Sequence, residues 1–215
     1  EAGHLQVHDS HFDNLPVDVD LDVILGKPPR MTRDVQRATA ELLPLQLDGI
    51  DLREAAYRVL ALPGVASKMF LISIGDRSVG GMTARDQCVG PWQIPVADCA
   101  ISLMGYQTLQ GEVFAIGEKA PLALIDAPAS GRMAVVEAIT NLAGACVDGL
   151  TQIKLSANWM APAGHAGEDA ALFDTVAAVS EYCQALGISI PVGKDSMSMK
   201  TVWREHAMQK AVVSP

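Results

Sequence analysis

The feature that constrains the fold most is a pair of long helical stretches among strand-like segments. Apolar residues recur every three or four positions across 131–147 and again across 167–187, which predicts one amphipathic helix in each stretch. Ser130 is the expected N-cap of the first helix, and Gly187 is expected to end the second. Since strands and helices do not alternate in a clean βαβ order, the sequence predicts an α+β fold, with helices on one face of a mixed or antiparallel sheet.

Shorter hydrophobic runs predict the strands of that sheet. The predicted strands cover 17–23, 67–75, 97–106, 112–117, 122–126 and 151–159, and a last short one begins at 188 and runs into a glycine-containing loop. A third helix is expected at 51–62, with Asp51 as its N-cap and Pro63 and Gly64 after its end. The segment GKPPRMTRD, 26–34, is expected to be a linker because its two prolines disfavour regular structure.

Composition excludes several classes of protein. With 49% hydrophobic and 19% charged residues, the chain is expected to bury a real core, and its apolar runs are too short to span a membrane. The net charge of -9 and the lack of a basic cluster argue against a nucleic-acid binder. The cysteines form no C-x-x-C pair, which argues against a zinc site or a disulfide framework and favours free, buried thiols in a reducing cytoplasm.

The first 48 residues differ from the rest of the chain. The alternating run 17–23 predicts a strand whose solvent-exposed face carries Asp18, Asp20 and Asp22. Three histidines precede it without regular spacing, and we expect them to be surface residues: His4, His8 and His11. The chain begins at Glu1, with neither a methionine nor a signal peptide, so we expect it to be part of a longer protein.

The helix predicted at 131–147 carries a polar pair that allows two interpretations. Glu137 and Asn141 lie one turn apart, opposite the apolar stripe, and Glu137 is the only charged residue from 133 to 147. Small residues surround the pair. An ordinary solvated face and a surface for a ligand or partner both fit this pattern.

If a ligand binds there, the pair offers hard oxygen ligands to one ion. Asp98, at the start of a predicted strand, would supply another carboxylate. Such a set suits Mg²⁺, which commonly accompanies a nucleotide because it neutralises phosphate charge. The loops GDRSVGG and VGKDSMSM contain glycine and a basic residue, but neither is a P-loop, and no Ser-His-Asp arrangement supports nucleophilic catalysis.

Long blocks of this sequence resemble one enzyme family. The blocks are SIGDRSVGGMTARDQCVGPWQIPVADCAISLMGY, GEKAPLALIDAPASGRMAVVEAITNLAGA, KLSANWM, GHAGEDAAL and IPVGKDSMSMKT, and they lie within 68–201. They are similar to the large, single-chain form of phosphoribosylformylglycinamidine synthase, and the similarity places this chain in the first half of the second synthetase repeat.

The resemblance implies an ATP-dependent carbon-nitrogen ligase of purine synthesis. ATP activates the amide oxygen of formylglycinamide ribonucleotide, and ammonia released from glutamine displaces phosphate to give formylglycinamidine ribonucleotide. The resemblance also implies the fold of the N-terminal, dimer-forming half of aminoimidazole ribonucleotide synthetase. Residues 49–215 would form that domain, and residues 1–48 would be a linker and the tail of the preceding repeat.

The resemblance further implies partners within the full-length chain and a cytoplasmic location. The other synthetase repeat, the second half of this repeat and a glutaminase domain would complete the enzyme. No nucleic acid or membrane partner is implied. The 215-residue chain alone is therefore expected to be inactive.

The resemblance also implies site residues. Asp98, Glu137 and Asn141 match magnesium ligands, with a further aspartate expected beyond Pro215. Ala97 matches a nucleotide-contacting position, and Lys68, at the head of a predicted strand, matches a lysine near the phosphates. Four residues in matching loops have no assigned role: Arg77, Arg85, Lys194 and Asp195. The nucleotide is either ATP that is consumed or ADP that is held with Mg²⁺ as a structural element between the two repeats.

Overall fold

The structure is a computed structural model that describes residues 3–29, 32–38, 42–74, 81–94 and 96–213. The chain divides into two compact units, Glu1–Asp34 and Val35–Pro215. No helix in the described ranges is both long and apolar enough to cross a membrane.

The first unit contains an antiparallel hairpin followed by a short helix. Strand β1, His4–Asp9, pairs with β2, Asn14–Asp20, and helix α1, Leu21–Leu25, follows. The alternation in β2 is confirmed, because Asp18 and Asp20 are exposed while their neighbours are half-buried. The predicted strand 17–23 is wrong at its end, since the chain turns into α1 after Asp20, and β1 was not predicted.

Two helices precede the first strand of the second unit. Helix α2, Leu52–Ala61, has Asp51 as its N-cap, whose side chain accepts a hydrogen bond from the Glu54 N–H, as predicted. Helix α3, Met69–Ile74, occupies the run predicted as a strand at 67–75. That prediction is wrong because a short apolar run without clear periodicity fits a helix turn and a buried strand equally well.

A three-stranded antiparallel sheet follows, in the order β3, β4, β5. Its strands are β3, Thr83–Arg85, β4, Ala100–Leu103, and β5, Gly111–Phe114, which confirms the two later strand predictions with shorter bounds. The run predicted as a strand at 122–126 lies instead in a 3₁₀ helix, Ala120–Leu124, and in the turn after it. Proline near the start of that helix has no N–H to give to a strand neighbour, which favours the helical turn.

The two long helices form the main layer of the second unit. Helix α4, Ala127–Leu142, starts and ends earlier than predicted, because Asp126 rather than Ser130 is its N-cap and accepts a hydrogen bond from the Ala129 N–H at 2.8 Å. Helix α5, Glu168–Leu186, matches its prediction. It ends at Gly187, whose left-handed φ of 69° suits a residue without a side chain.

The helices pack closely at Gly131. A Cβ there would lie 2.7 Å from Val179 Cγ2 and 2.8 Å from Thr175 Cγ2. The buried core is centred on Val135, Val179 and Cys183, and the partly buried residues around it are Ile139, Leu155, Trp159, Tyr182, Leu186 and Ile190. Each fully buried aliphatic side chain of this kind contributes about 1.5–3 kcal/mol. The contact between α4 and α5 therefore fixes where the polar edge of α4 lies.

Four further strands complete the fold. Strand β6, Lys154–Met160, pairs in parallel with β7, Ser189–Ser196, after the crossover through α5. Strand β8, Lys200–Glu205, and strand β9, Met208–Val213, form an antiparallel hairpin that was not predicted. Since antiparallel and parallel pairs occur together with helices that pack on one another and on β7, the predicted α+β class with mixed pairing is confirmed.

All four cysteines are free, but they are not all buried as predicted. Cys99 and Cys183 are buried, Cys88 is half-buried and Cys146 is exposed. Burial raises the pKa of the Cys183 thiol, which keeps it protonated within the core.

Candidate functional site

The polar edge of α4 is covered in part by the chain itself. Gly117 lies against this helix so closely that a Cβ would collide with the Ala134 carbonyl oxygen and lie 2.6 Å from the Ala138 nitrogen. The sequence interpretation linked the small residues of this edge to a ligand or partner surface. In the structure they allow the segment 116–119 of the same chain to pack against α4.

Glu137 fastens that segment to the helix. Lys119 Nζ lies 2.7 Å from Glu137 Oε1, and the Glu118 N–H donates to Glu137 Oε2 at 2.8 Å. The side chains are 36% exposed for Lys119 and 32% for Glu137, so the contact is neither buried nor fully solvated. The hydrogen bond from Lys119, followed by the one from the Glu118 N–H, lowers the pKa of Glu137. The carboxylate is thus held in its charged form.

Asn141 makes a second contact with the same segment. Its Nδ2 donates to the Ile116 carbonyl oxygen at 2.9 Å, which leaves the amide oxygen as an acceptor for another group. Ser130, predicted as a helix cap, is instead buried within α4, and its Oγ donates to the Lys119 carbonyl oxygen at 2.8 Å. The backbone of 116–119 is therefore anchored to α4 at three points.

The segment with Ala97 and Asp98 lies near the C-terminal end of α4. Cys99, which follows Asp98, is buried, and a Cβ at Gly144 would lie 3.8 Å from the Cys99 sulfur. Asp98 itself is exposed, and it has no hydrogen-bond or ion-pair partner among the residues that the structure describes. Its carboxylate is therefore free to take a ligand.

Gln87 connects Ala97 with the helix that follows Lys68. Its carbonyl oxygen accepts from the Ala97 N–H at 2.8 Å, and its side-chain Nε2 donates to the Ile72 carbonyl oxygen at 2.8 Å. Lys68 precedes α3 rather than a strand, and its exposed ammonium group donates to the Ala66 carbonyl oxygen. Gln87 thus links the segment of Ala97 to α3, and Lys119 links the segment 116–119 to Glu137; the sequence interpretation missed both linking residues.

The loop residues without an assigned role have separate positions. Arg85 ends β3 and donates to the Gly144 carbonyl oxygen at 3.2 Å, next to the end of α4. Lys194 and Asp195 lie on β7, where Lys194 Nζ is 3.0 Å from Ser196 Oγ. Arg77 lies outside the described residues.

Metal clusters made of His, Cys, Asp and Glu alone are absent from the described ranges. The candidate set differs from such clusters because it has two acids and one amide, Asp98, Glu137 and Asn141. Its donors are all hard oxygens, of the type that Mg²⁺ prefers. The chemistry of the donor set therefore fits this ion, although one of the two carboxylates is already engaged by Lys119.

Comparison with known proteins gives a family match and similarity to solved structures. Residues 67–215 match the family described as the FGAR-AT PurM_N-like domain. One solved structure, described as the structure of PurLQS from Thermotoga maritima, is 17% identical with a TM-score of 0.49, and the alignment covers 92% of this chain. This chain spans only 28% of the length of that one. Since the family match covers more than half of the sequence, the chain belongs to the family of FGAR-AT PurM_N-like domains.

Proposed function

We propose that this chain contributes a Mg²⁺-nucleotide site to a formylglycinamide ribonucleotide amidotransferase. This enzyme is an ATP-dependent ligase that converts formylglycinamide ribonucleotide, glutamine and ATP to formylglycinamidine ribonucleotide in purine synthesis. The family match over 67–215 supports the reaction class. The observation that carries the site is the polar edge of α4, where Glu137 and Asn141 are held one turn apart by contacts with the segment 116–119. The exposed Asp98 precedes Cys99, whose sulfur would lie 3.8 Å from a Cβ at Gly144, just beyond the end of this helix.

The proposed roles follow from the chemistry of each group. Glu137, Asn141 and Asp98 would hold Mg²⁺ through carboxylate and amide oxygens, and a bound ion would neutralise phosphate charge. Lys68 would place its exposed ammonium group beside the phosphates, and Ala97 would contact the nucleotide. An ion at this site also removes the need for a basic protein surface, which agrees with the net charge of -9.

The proposed partners are other parts of the full-length protein. The second half of this repeat, the other synthetase repeat and a glutaminase domain would complete the enzyme in the cytoplasm. Large apolar side chains that remain exposed in this chain support such partners: Trp92, Ile94, Tyr106, Leu109 and Ile116. We expect the 215-residue chain alone to form no amidine in an assay supplied with ATP and ammonia, and measurable product formation would contradict this.

Ion and nucleotide binding to the full-length protein tests the site. Titration calorimetry with Mg²⁺ and ADP should show a loss of affinity of about tenfold or more for Glu137→Gln, because a ligating carboxylate is replaced by an uncharged amide. Glu181→Gln, an exposed change on α5, is the matched control and should bind like the wild type. Equal affinity in both variants would exclude Glu137 as a ligand.

A second proposal for the same site is structural. The site would hold ADP and Mg²⁺ permanently and stabilise the contact between the two repeats without chemistry. The structural contacts of Glu137 and Asn141 with 116–119 favour this alternative, since both residues already organise the fold. Nucleotide released on denaturation of the full-length protein separates the proposals. Retained ADP that does not exchange with labelled ATP supports the structural role, whereas exchange coupled to turnover supports the catalytic one.

A further inference from the structure

Lys119 occupies the carboxylate to which the proposed ion would bind. We infer that Lys119 is a tethered cation that competes with the divalent ion for Glu137, so that ion binding requires its ammonium group to leave this carboxylate. This inference rests on the proposed function, because it assigns a competitor to the same site. Lys119 would set the affinity of the site and hold it in a defined form before the ion arrives.

Both carboxylate oxygens of Glu137 are engaged in the structure. Oε1 lies 2.7 Å from Lys119 Nζ, and Oε2 accepts the Glu118 N–H at 2.8 Å. An incoming ion must therefore share or displace one of these partners. The Glu118 N–H belongs to a backbone segment that Ser130 and Asn141 also hold, at 2.8 Å and 2.9 Å.

The ammonium group is the partner that can move. A lysine side chain has a flexible four-carbon stem and a single point charge, so its head group leaves without any backbone change. At 36% and 32% exposure the two side chains are partly solvated, and an ion pair of this kind favours association by only about 2- to 5-fold. A divalent ion with further oxygen ligands can overcome a preference of this size.

Because Lys119 is tethered to the chain, free monovalent cations would not displace its ammonium group from Glu137. The lysine is part of the chain, so its effective concentration at Glu137 is on the order of millimolar or higher without any free ligand. A weakly bound monovalent cation has the same charge and no tether. Only an ion with a higher charge and with bonds to Asn141 and Asp98 gains enough to replace the ammonium group.

Binding of Mn²⁺, as a paramagnetic probe for the divalent site, to the full-length protein tests the inference. By electron paramagnetic resonance, Lys119→Met should bind Mn²⁺ about 3- to 10-fold more tightly than the wild type, since both the competitor and a like charge are removed. Lys119→Arg should bind more weakly, because a guanidinium group can engage both carboxylate oxygens. Lys154→Met removes an exposed lysine from β6 and should leave the affinity unchanged.

Glu137→Gln separates the possible failures. Loss of Mn²⁺ binding in this variant, with equal affinity in Lys119→Met and the wild type, would overturn the competition and leave the proposed site intact. Unchanged Mn²⁺ binding in Glu137→Gln would instead overturn the proposed site.

A measurement on the wild-type chain tests the inference even if the Lys119 variants misfold. In protein whose lysines carry ¹³C-methyl groups, the Lys119 resonance, assigned by its absence from Lys119→Arg, should shift on addition of Mg²⁺. Its midpoint should equal that of ion binding. A resonance that stays in place at saturating Mg²⁺ would show that the ammonium group does not leave Glu137.

Discussion

The two long helices each hold an extended segment of the chain through one carboxylate, but they use different cations. On α4, Glu137 pairs with Lys119 and also accepts a backbone N–H. On α5, Asp174 accepts two hydrogen bonds from Arg37, one from Nε at 2.9 Å and one from a terminal nitrogen at 2.6 Å. One carboxylate is therefore held by a lysine and a backbone N–H, and the other by the two nitrogens of one arginine side chain.

The difference separates an exchangeable contact from a structural one. The planar guanidinium group of Arg37 donates to both oxygens of Asp174, so two charge-assisted hydrogen bonds to one side chain must break before that carboxylate is released. Lys119 uses one oxygen of Glu137, and Asn141 adds a free amide oxygen one turn away. The proposed ion at Glu137 would therefore have to displace one ammonium group, whereas an ion at Asp174 would have to displace a guanidinium group held by two hydrogen bonds.

Each contact is carried by one of two helices that pack on each other, and the largest expected effect comes from their close approach at Gly131. Gly131→Val places atoms within reach of Val179 and Thr175, where a Cβ alone would lie under 3 Å from both. Overpacking of this kind destabilises by about 1–3 kcal/mol, which chemical denaturation would measure. Gly149→Ala is the control because open space surrounds that position, and equal stability of the two variants would show that the helices separate without cost.

Substitution of Glu137 and of Asp174 by alanine measures how much each contact stabilises the fold. Glu137→Ala frees both Lys119 and the Glu118 N–H, and we expect a loss of about 1 kcal/mol in unfolding free energy, with faster amide exchange across 116–119. Asp174→Ala should cost less, because Arg37 is 68% exposed and screened by solvent.

Hydrogen exchange measured by mass spectrometry distinguishes the two segments. Each variant should raise exchange only in the segment that its own carboxylate holds, near 116–119 for Glu137 and near 35–38 for Asp174. Faster exchange in both segments for either variant would mean that the two contacts are coupled through the helices.

The sequence could predict features that arise from neighbouring residues better than contacts between residues far apart in the chain. Helix α5 was predicted almost to the residue because 19 residues repeat one apolar pattern and Gly187 ends it. Helix α3 was not, because a run of six residues, five of them apolar, carries no helical signal of its own when it has no periodicity. The outward pair on α4 was visible from spacing alone.

Contacts across the chain could not be predicted in the same way. No periodicity indicates that Lys119 returns to a residue 18 positions later. The small residues Ala134 and Ala138 indicated that another group approaches the helix closely, but the sequence did not show whether this group is a ligand or the chain itself. The contact with Gly117 shows that it is the chain.

Acid should release the contact on α5. Arg37 lowers the pKa of Asp174, chiefly through its hydrogen bonds, so this contact stabilises the fold above the ordinary pKa of an aspartate. The stabilisation is then lost as the pH falls through the lowered pKa of the folded state. Exchange of the 35–38 amides, corrected for intrinsic rates, should therefore rise at low pH in the wild type. Asp174→Asn should show fast exchange at every pH, and a wild type without pH dependence would count against the pair.

The hairpin of the first unit should respond in the opposite direction, with the smallest effect. His4 lies between two exposed carboxylates, with Nε2 at 2.6 Å from Asp18 and Nδ1 at 2.8 Å from Asp20. The hydrogen bond to Asp18, followed by the one to Asp20, raises the pKa of His4. The contact therefore stabilises the hairpin below the ordinary histidine pKa, and this contribution is lost as the pH rises through the raised value.

Titration of the His4 ring resonances by NMR measures this effect directly. The midpoint should lie above 6.5, and Asp18→Asn should lower it more than Asp20→Asn does. Asp22→Asn is the control, because Asp22 lies beyond β2 on α1 and has no side-chain contact with His4 in the described structure. A midpoint that Asp18→Asn leaves in place would show that the hairpin is held by its strand pairing alone.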